Sequence, residues 1–588
     1  MIGGKFWRRA SALAIVGVLG LLLFGFFRIK TIERDALQLA ATGRGGIAVL
    51  NRLAAGVLAQ DLDAIAAVYG ADYRNEEGAW RVADMSDQDG ILKLTWRPGR
   101  HEETDLEGVV ANYRVLFSGL ASVDWAKVKL ARVESTGSEG PVDVRAVLWL
   151  RGQTVDGQTS ESQLRLELTL STPAENASII SQHLVTGTTV AGAGTGFADR
   201  APEIGLDFSS ATNPRFSDPD WKLEKFGIAR YASPGVSAVD YDGDGWYDLY
   251  YTDGESARLY RNESGTIGEL RFRDVTTEVG LPIDLPGINM GLFVDLDNDG
   301  DRDLFIGRFM NGNRLYRNDG GRFTQVQAPK GMAQGFVTTA SAADYDGDGF
   351  VDLYLGRYLD PRSELPLTLF YTRNGQGNSL FRNEGGLTFT DVTETAGVRE
   401  GGLTLGTSWA DYDDDGDPDL HVANDFGRNA LLRNEGDGTF TDVTAEAGAL
   451  DFGFGMSSSW GDVDNDGDFD IYVSNVHSSQ RWYGQAATLG QYLLTSVKQG
   501  TIFEDFSLYR EIYGYTGPDW GLYGDGMVKG NSLLLNDGKG HFTESSEIAG
   551  SNPYGWYWGS AFFDYDNDGR LDIYAANGWI SGKTMDDL

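Results

Sequence analysis

Six short segments carry one pattern of acidic and glycine-like residues. They are DYDGDGWYDLY from Asp240, DLDNDGDRDLF from Asp295, DYDGDGFVDLY from Asp344, DYDDDGDPDLH from Asp411, DVDNDGDFDIY from Asp462 and DYDNDGRLDIY from Asp564. Carboxylates crowded into one turn repel one another, so a chain that repeats the pattern must fold as a repeat and must manage that charge at each turn. Two further landmarks run in register with the acids. Upstream stand FADRAPEIGL at Phe197, FRDVTTEVGL at Phe272, FTQVQAPKGM at Phe323, FTDVTETAGV at Phe389, FTDVTAEAGA at Phe440 and FTESSEIAGS at Phe542. Downstream of every acidic segment but the last stand RLYRNES, RLYRNDG, SLFRNEG, ALLRNEG and SLLLNDG.

Each landmark is short, apolar or alternating, and bounded by Gly, Asn or Asp, which is the chemistry of strands joined by tight turns. Units of about 50 residues with several short strands predict propeller blades, each covering the apolar faces of its neighbours. Trp409 and Trp460, two residues before their acidic segments, read as blade core, and YGWYWG at Tyr554–Gly559 reads as a core strand. The long stretch between the fifth and sixth segments predicts a helical insertion at about 477–530.

Asp-x-Asp-x-Asp-Gly-x-x-Asp is the opening of a calcium loop. Oxygens at positions 1, 3 and 5 converge on one ion because Gly or Asn between them lets the backbone coil. Position 7 offers a carbonyl and position 9 another carboxylate. All-oxygen ligation selects Ca²⁺ over zinc or copper, and a flexible, numerous ligand set selects it over Mg²⁺. The loop is not an EF-hand: no Glu stands at position 12, and strands rather than helices flank it.

With these motifs the region resembles the FG-GAP/VCBS calcium-loop propeller repeats of integrin α-subunit heads. The Phe-Thr-Asp-Val-Thr and Leu-x-Arg-Asn landmarks are more similar to the bacterial ASPIC/UnbV group, related to cartilage acidic protein. The resemblance implies up to six structural Ca²⁺ ions. Their ligands would be Asp240, Asp242, Asp244 and Asp248; Asp295, Asp297, Asp299 and Asp303; Asp344, Asp346, Asp348 and Asp352; Asp411, Asp413, Asp415 and Asp419; Asp462, Asp464, Asp466 and Asp470; and Asp564, Asp566, Asp568 and Asp572. The family ring has seven blades and six acidic loops are present here, so a six- to seven-bladed, integrin-α-like β-propeller is expected over 196–588.

Composition narrows the chemistry. The chain has 588 residues, a formal charge of −37 and no cysteine. Such an acidic surface does not neutralise phosphates, so nucleic acid is not an expected partner. The absence of cysteine removes thiol catalysis and thiolate metal sites, and five scattered histidines do not make a zinc site.

Two regions precede the repeat. Lys5, Arg8 and Arg9 flank an uncharged apolar run from Ala10 to Phe27. Residues 1–30 therefore read as a signal anchor or transmembrane helix, with the bulk of the chain in the periplasm or outside the cell. This predicts a single-pass inner-membrane protein of the bacterial cell envelope. Residues 31–195 read as an α+β domain. Ile47, Leu50, Leu53, Ala54, Val57, Leu58, Ile65 and Val68 form one helical face, with a break near Asp61 and Asp63. Alternating Val142–Leu150 and Leu164–Leu170 then form a hairpin about Asp156-Gly157. Helices followed by an antiparallel sheet resemble the NTF2-like cone.

The expected function is a membrane-anchored, non-enzymatic calcium-binding scaffold that contacts a protein or glycan partner. A hydrolase or polysaccharide lyase built on the propeller is one alternative, and a permanent subunit of a membrane complex is another. No acid/base pair outside the metal loops marks the enzymatic reading.

Overall fold

The computed structural model describes residues 46–192, 200–208, 235–477 and 529–578, apart from short breaks, the longest at 361–371. The chain is mostly β and divides near residue 198 into two compact units. The Ala10–Phe27 segment, nearly all of the 477–530 insertion and Asp566 lie outside the described residues.

In the first unit, helix α1 (46–58) turns at Asp61, whose Oδ1 accepts the N–H groups of Asp63 and Ala64 at 3.0 Å and caps α2 (Leu62–Ala66). Leu50, Leu53, Val57, Ile65 and Val68 are buried, but Ile47 and Leu58 are exposed. The apolar arc of α1 is wider than its buried stripe. Leu53 and Val57 centre that stripe, and Ile47 and Leu58 lie roughly a hundred degrees round from it. Strands β1 (Arg81–Gln88) and β2 (Ile91–Arg97), helix α3 (Leu106–Phe117) and strands β3 (Leu120–Val133), β4 (Val142–Thr154), β5 (Thr159–Leu170) and β6 (Ile179–Gly192) follow. The six strands form one antiparallel sheet in the order β1-β2-β6-β5-β4-β3. The β4–β5 hairpin turns at Gly157, at φ 83°. Leu148, Leu150, Leu164 and Leu166 pack with Val49, Leu50 and Tyr113 of the helices to form the core.

The second unit is built of antiparallel sheets. The first holds β7 (Gly235–Val239), β8 (Asp248–Thr252), β9 (Ala257–Asn262) and β10 (Phe272–Asp274). The second holds Ile288–Val294, Asp303–Arg308, Arg314–Asn318 and Phe323–Val326. The third holds Val337–Ala343, Asp352–Arg357, Ser379–Asn383 and Phe389–Asp391; the fourth Leu403–Ala410, Asp419–Asp425, Ala430–Asn434 and Phe440–Asp442. The fifth holds Ser457–Gly461, Asp470–Ser474, Ser532–Asn536 and Phe542–Glu544. A sixth, three-stranded among the described residues, holds Val476–His477, Gly555–Phe563 and Asp572–Asn577. Every acidic segment joins the first long strand of a sheet to the second.

Neighbouring sheets interlock at three levels. Small hydroxyls link their first strands: Ser237 Oγ donates to Gly291 O at 2.8 Å, Thr338 Oγ1 to Thr404 O at 2.6 Å, and Ser408 meets Ser458 at 2.9 Å. The apolar residue at position 2 of a loop packs on the Phe of the next sheet, as in Tyr241–Phe323, Tyr345–Phe440 and Tyr412–Phe542, with ring centroids 6.0, 5.8 and 5.5 Å apart. Trp409 and Trp460 pack between sheets, beside Phe440 and Phe542 respectively. The asparagine of every Leu-x-x-Asn turn after the first closes the join. Asn318 Nδ2 donates to Arg302 O of its own loop at 3.0 Å and to Tyr241 O of the preceding loop at 2.8 Å. Asn383, Asn434 and Asn536 reach Leu296 O, Tyr345 O and Tyr412 O in the same way, at 2.7 to 2.8 Å.

The single-pass inner-membrane placement is corrected. Among the described residues no helix is long and apolar enough to cross a membrane. The longest helices, 46–58 and Leu106–Phe117, are amphipathic, and twelve residues span about 18 Å against the roughly 30 Å of a bilayer core. The Ala10–Phe27 segment, on which the expected anchor rested, lies outside the described residues.

Asn318→Ala strands two carbonyls, one of them in the neighbouring sheet. It is expected to cost about 2–3 kcal/mol in urea unfolding, against about 1 kcal/mol for Asn262→Ala, whose Nδ2 bonds Tyr247 O within its own loop. Equal costs would show that the bond to the preceding loop contributes nothing.

Candidate metal centres

Each acidic loop is coiled by two residues in the left-handed region. Position 6 is always Gly, from φ 84° at Gly569 to 102° at Gly467. Position 4 is Gly243, Asn298, Gly347, Asp414, Asn465 or Asn567, at φ 58° to 71°. This coil gives the four aspartates distinct tasks.

Position 1 ties the coil from inside. Asp240 accepts Asp244 N at 3.1 Å and Gly245 N at 3.0 Å. Asp344, Asp411, Asp462 and Asp564 repeat both bonds, and Asp295 accepts Gly300 N at 2.9 Å. Position 5 accepts the N–H of position 7, as Asp299 does from Asp301 at 2.9 Å. Asp244, Asp348, Asp415, Asp466 and Asp568 do the same.

Position 9 begins the second strand and is buried in the first five loops. Asp303 is 0% exposed; its Oδ2 accepts Leu296 N at 3.0 Å and its Oδ1 accepts Asn318 N at 2.8 Å. Asp248, Asp352, Asp419 and Asp470 make the same pair of bonds to their loops and to Asn262, Asn383, Asn434 and Asn536. Asp572 keeps the loop bond, from Tyr565 N at 3.2 Å. Position 9 therefore braces loop to third strand in addition to the ligand role its spacing suggests. The sequence signal for the brace was the asparagine that recurs in all five Leu-x-x-Asn turns.

Position 3 is different. Asp242 Oδ1, Asp297 Oδ1 and Asp413 Oδ1 are buried with no hydrogen-bond partner, as is Asp295 Oδ1 at position 1 of the second loop. Carboxylate oxygens from Asp240, Asp242 and Asp248 lie within 4.8 Å of one another. So do those of Asp295, Asp297 and Asp299; of Asp344, Asp346 and Asp348; of Asp411, Asp413 and Asp419; and of Asp462, Asp464 and Asp470. In five of the six predicted sets three of the four aspartates are thus brought together, without Asp244, Asp303, Asp352, Asp415 and Asp466 respectively, and these clusters could hold a metal ion. In the sixth, Asp564, Asp568 and Asp572 are described without Asp566.

Burial, then the carboxylate at position 5, raises Asp242, Asp297, Asp346 and Asp464 above the usual range, and Asp413 likewise. Burial pushes Asp248, Asp303 and Asp352 up to about 7, Asp419 to about 8 and Asp470 to about 6, against the pull of their backbone donors. An unpaired buried oxygen among ionised neighbours is the donor set of a hard cation, and no nitrogen or sulfur ligand joins any of these clusters.

Among the described residues, the other buried titratable groups do not assemble an acid/base pair. His421 is buried with Nδ1 2.7 Å from Ser458 Oγ, and burial lowers it to about 4. Asp425, pushed up to about 7 by burial, accepts Tyr358 Oη at 2.7 Å.

The sign of the pH dependence follows. A carboxyl whose folded pKa exceeds its unfolded value near 3.8 stabilises the fold most when protonated. Through the five position-9 aspartates, stability of chelated protein is expected to fall as pH rises from about 4 to about 7. Saturating divalent cation should remove this slope. Urea midpoints across that window, with and without chelator, check it; a chelated protein that gains stability across the window would contradict it.

A family model described as FG-GAP-like repeat matches residues 295–355, 411–473 and 520–575. Cartilage acidic protein 1 of Xenopus tropicalis is 23% identical over 391 residues, 58% of this chain and 57% of that protein. The Mus musculus protein of the same name is 22% identical over 416 residues, 65% of this chain and 62% of its own length. The chain thus spans somewhat more than half the length of the curated relatives it matches. Among solved structures, an Agrocybe aegerita lectin that recognises non-reducing terminal N-acetylglucosamine aligns over 79% of this chain and 90% of its own, at 14% identity and a TM-score of 0.29. The acidic loops from Asp295, Asp344, Asp411, Asp462 and Asp564 fall within segments that match FG-GAP-like repeats, and the chain is similar to cartilage acidic protein 1.

Proposed function

We propose that the second unit is a calcium-stabilised β-propeller whose loops form an interaction scaffold for a protein or glycan partner, and that the protein is not an enzyme. The buried, unpartnered oxygens of Asp242, Asp297 and Asp413 carry the calcium reading. A bound ion supplies the positive charge that the loop backbone leaves missing at position 3, and the rigid loop then holds position 9 against the third strand. Oxygen-only clusters favour Ca²⁺. The FG-GAP-like repeats and the similarity to cartilage acidic protein 1 support the scaffold reading. The successive four-stranded sheets support the blades, and the first unit is read as an NTF2-like module.

Calcium here is structural. Modules of this kind hold it with dissociation constants on the order of 10⁻⁴ to 10⁻³ M. At a hundredfold excess each occupied site adds about 2.7 kcal/mol, so several sites together should raise Tm by about 10 °C or more. The test is a melting series in EDTA, Mg²⁺ and Ca²⁺ with calorimetric counting of sites. Asp297→Asn and Asp413→Asn should each remove one ion from the count. A Tm and a count that ignore calcium would overturn the reading. For the partner, affinity capture with the calcium-loaded chain is compared with capture after EDTA and with glycan-array binding. Partners retained equally in EDTA would separate the scaffold from its calcium.

A further inference from the structure

The first acidic loop differs from its siblings in what stands over it. Arg261 of the first Leu-x-Arg-Asn turn reaches into that loop, with Nε 2.9 Å from Asp242 Oδ2 and Nη2 3.3 Å from Asp244 Oδ2. The equivalent arginines do not behave this way. Arg317, Arg382 and Arg433 fold onto the acid two residues on, Asp319, Glu384 and Glu435, at 2.8, 2.7 and 2.9 Å. The first turn has such an acid too, Glu263, but Arg273 holds it at 2.6 Å.

The cause is one cross-strand position. Arg261 pairs with Arg273, whereas Arg317, Arg382 and Arg433 pair with Thr324, Thr390 and Thr441. Threonine leaves the neighbouring acid to the arginine of the turn. Arginine at 273 takes Glu263 and Glu278 for itself, and two guanidinium groups directly opposite repel. The displaced Arg261 then finds the nearest free negative charge, which is the first loop.

We propose that Arg261 is a built-in counter-cation of the first loop. It competes with the metal ion there, so this loop binds calcium more weakly than the second, third and fourth and fills after them. The sheet it caps is thereby held by a guanidinium when calcium is scarce and by an ion when it is plentiful. The inference rests on the calcium reading above.

Trp246 stands at position 7 of this loop alone, where the others have Asp301, Phe350, Asp417, Asp468 and Arg570, and so offers a local signal. Calcium titrations of the full chain would follow tryptophan emission, the first-loop component being the part lost in Trp246→Phe, alongside calorimetry for all sites. In the wild type the Trp246 component should saturate last. Arg261→Gln should tighten it by roughly tenfold, the scale of one unit charge beside a divalent ion at surface screening. Arg273→Thr, which returns Glu263 to Arg261, should tighten it similarly, and the double variant should gain no more than either single one. Arg273→Thr leaves the loop and its arginine intact, so it tests the idea even if Arg261→Gln folds poorly. A first-loop signal that saturates with the rest and moves in neither variant overturns the inference while leaving calcium binding in place. Calcium binding at no loop overturns the reading on which it rests.

Discussion

A carboxylate cut off from water and held by two backbone N–H groups is the interaction on which the second unit depends. Asp303 shows it: one oxygen fixes the loop at Leu296, the other fixes the third strand at Asn318. Burying a carboxylate costs several kcal/mol unless such donors replace its water. Loop, second strand and third strand must therefore form together. Asn318 then spends its side chain on the preceding loop, so a sheet that has formed correctly also places its neighbour. The same brace at Asp248, Asp352, Asp419 and Asp470 turns a row of small sheets into a linked series.

The brace explains why the acids of one loop are unequal. Positions 1, 5 and 9 are satisfied largely by backbone N–H groups, which any coil of this shape supplies. At position 3 one buried carboxylate oxygen, Oδ1, has no hydrogen-bond partner in the loops of Asp242, Asp297 and Asp413. It is the place where positive charge must come from outside the loop. A metal ion is one source, and in the first loop Arg261 is another. The loops thus share a backbone and differ in how their residual charge is met.

Much of this architecture was legible in the sequence because it is repeated. One acidic segment is an ambiguous turn; six in register with two apolar landmarks place strand starts just after position 9, and the structure begins those strands one residue earlier, at Asp248, Asp303, Asp352, Asp419, Asp470 and Asp572. The helical face of the first unit was read too broadly. Hydropathy records which residues are apolar, whereas the buried stripe is set by what packs on it, so Ile47 and Leu58 stay outside. The membrane placement rested on an apolar run and its basic flank, and no described helix supports it. The recurring asparagine marked the brace at position 9 without revealing its partners, since the third-strand and neighbouring-loop partners lie 14 to 124 residues away in the chain.

By itself the sequence determined the local events. Gly and Asn at positions 4 and 6 permit the left-handed coil, the acid spacing sets the cluster, and the apolar residues after position 9 begin a strand. These depend only on steric limits and on neighbours a few residues away. The tertiary structure decided which carboxylate is a brace, which is left without a donor, and which arginine leans over which loop. Those outcomes turn on cross-strand pairs and on the adjoining sheet, as when Arg273 in place of a threonine redirects Arg261, and only folding brings such residues together.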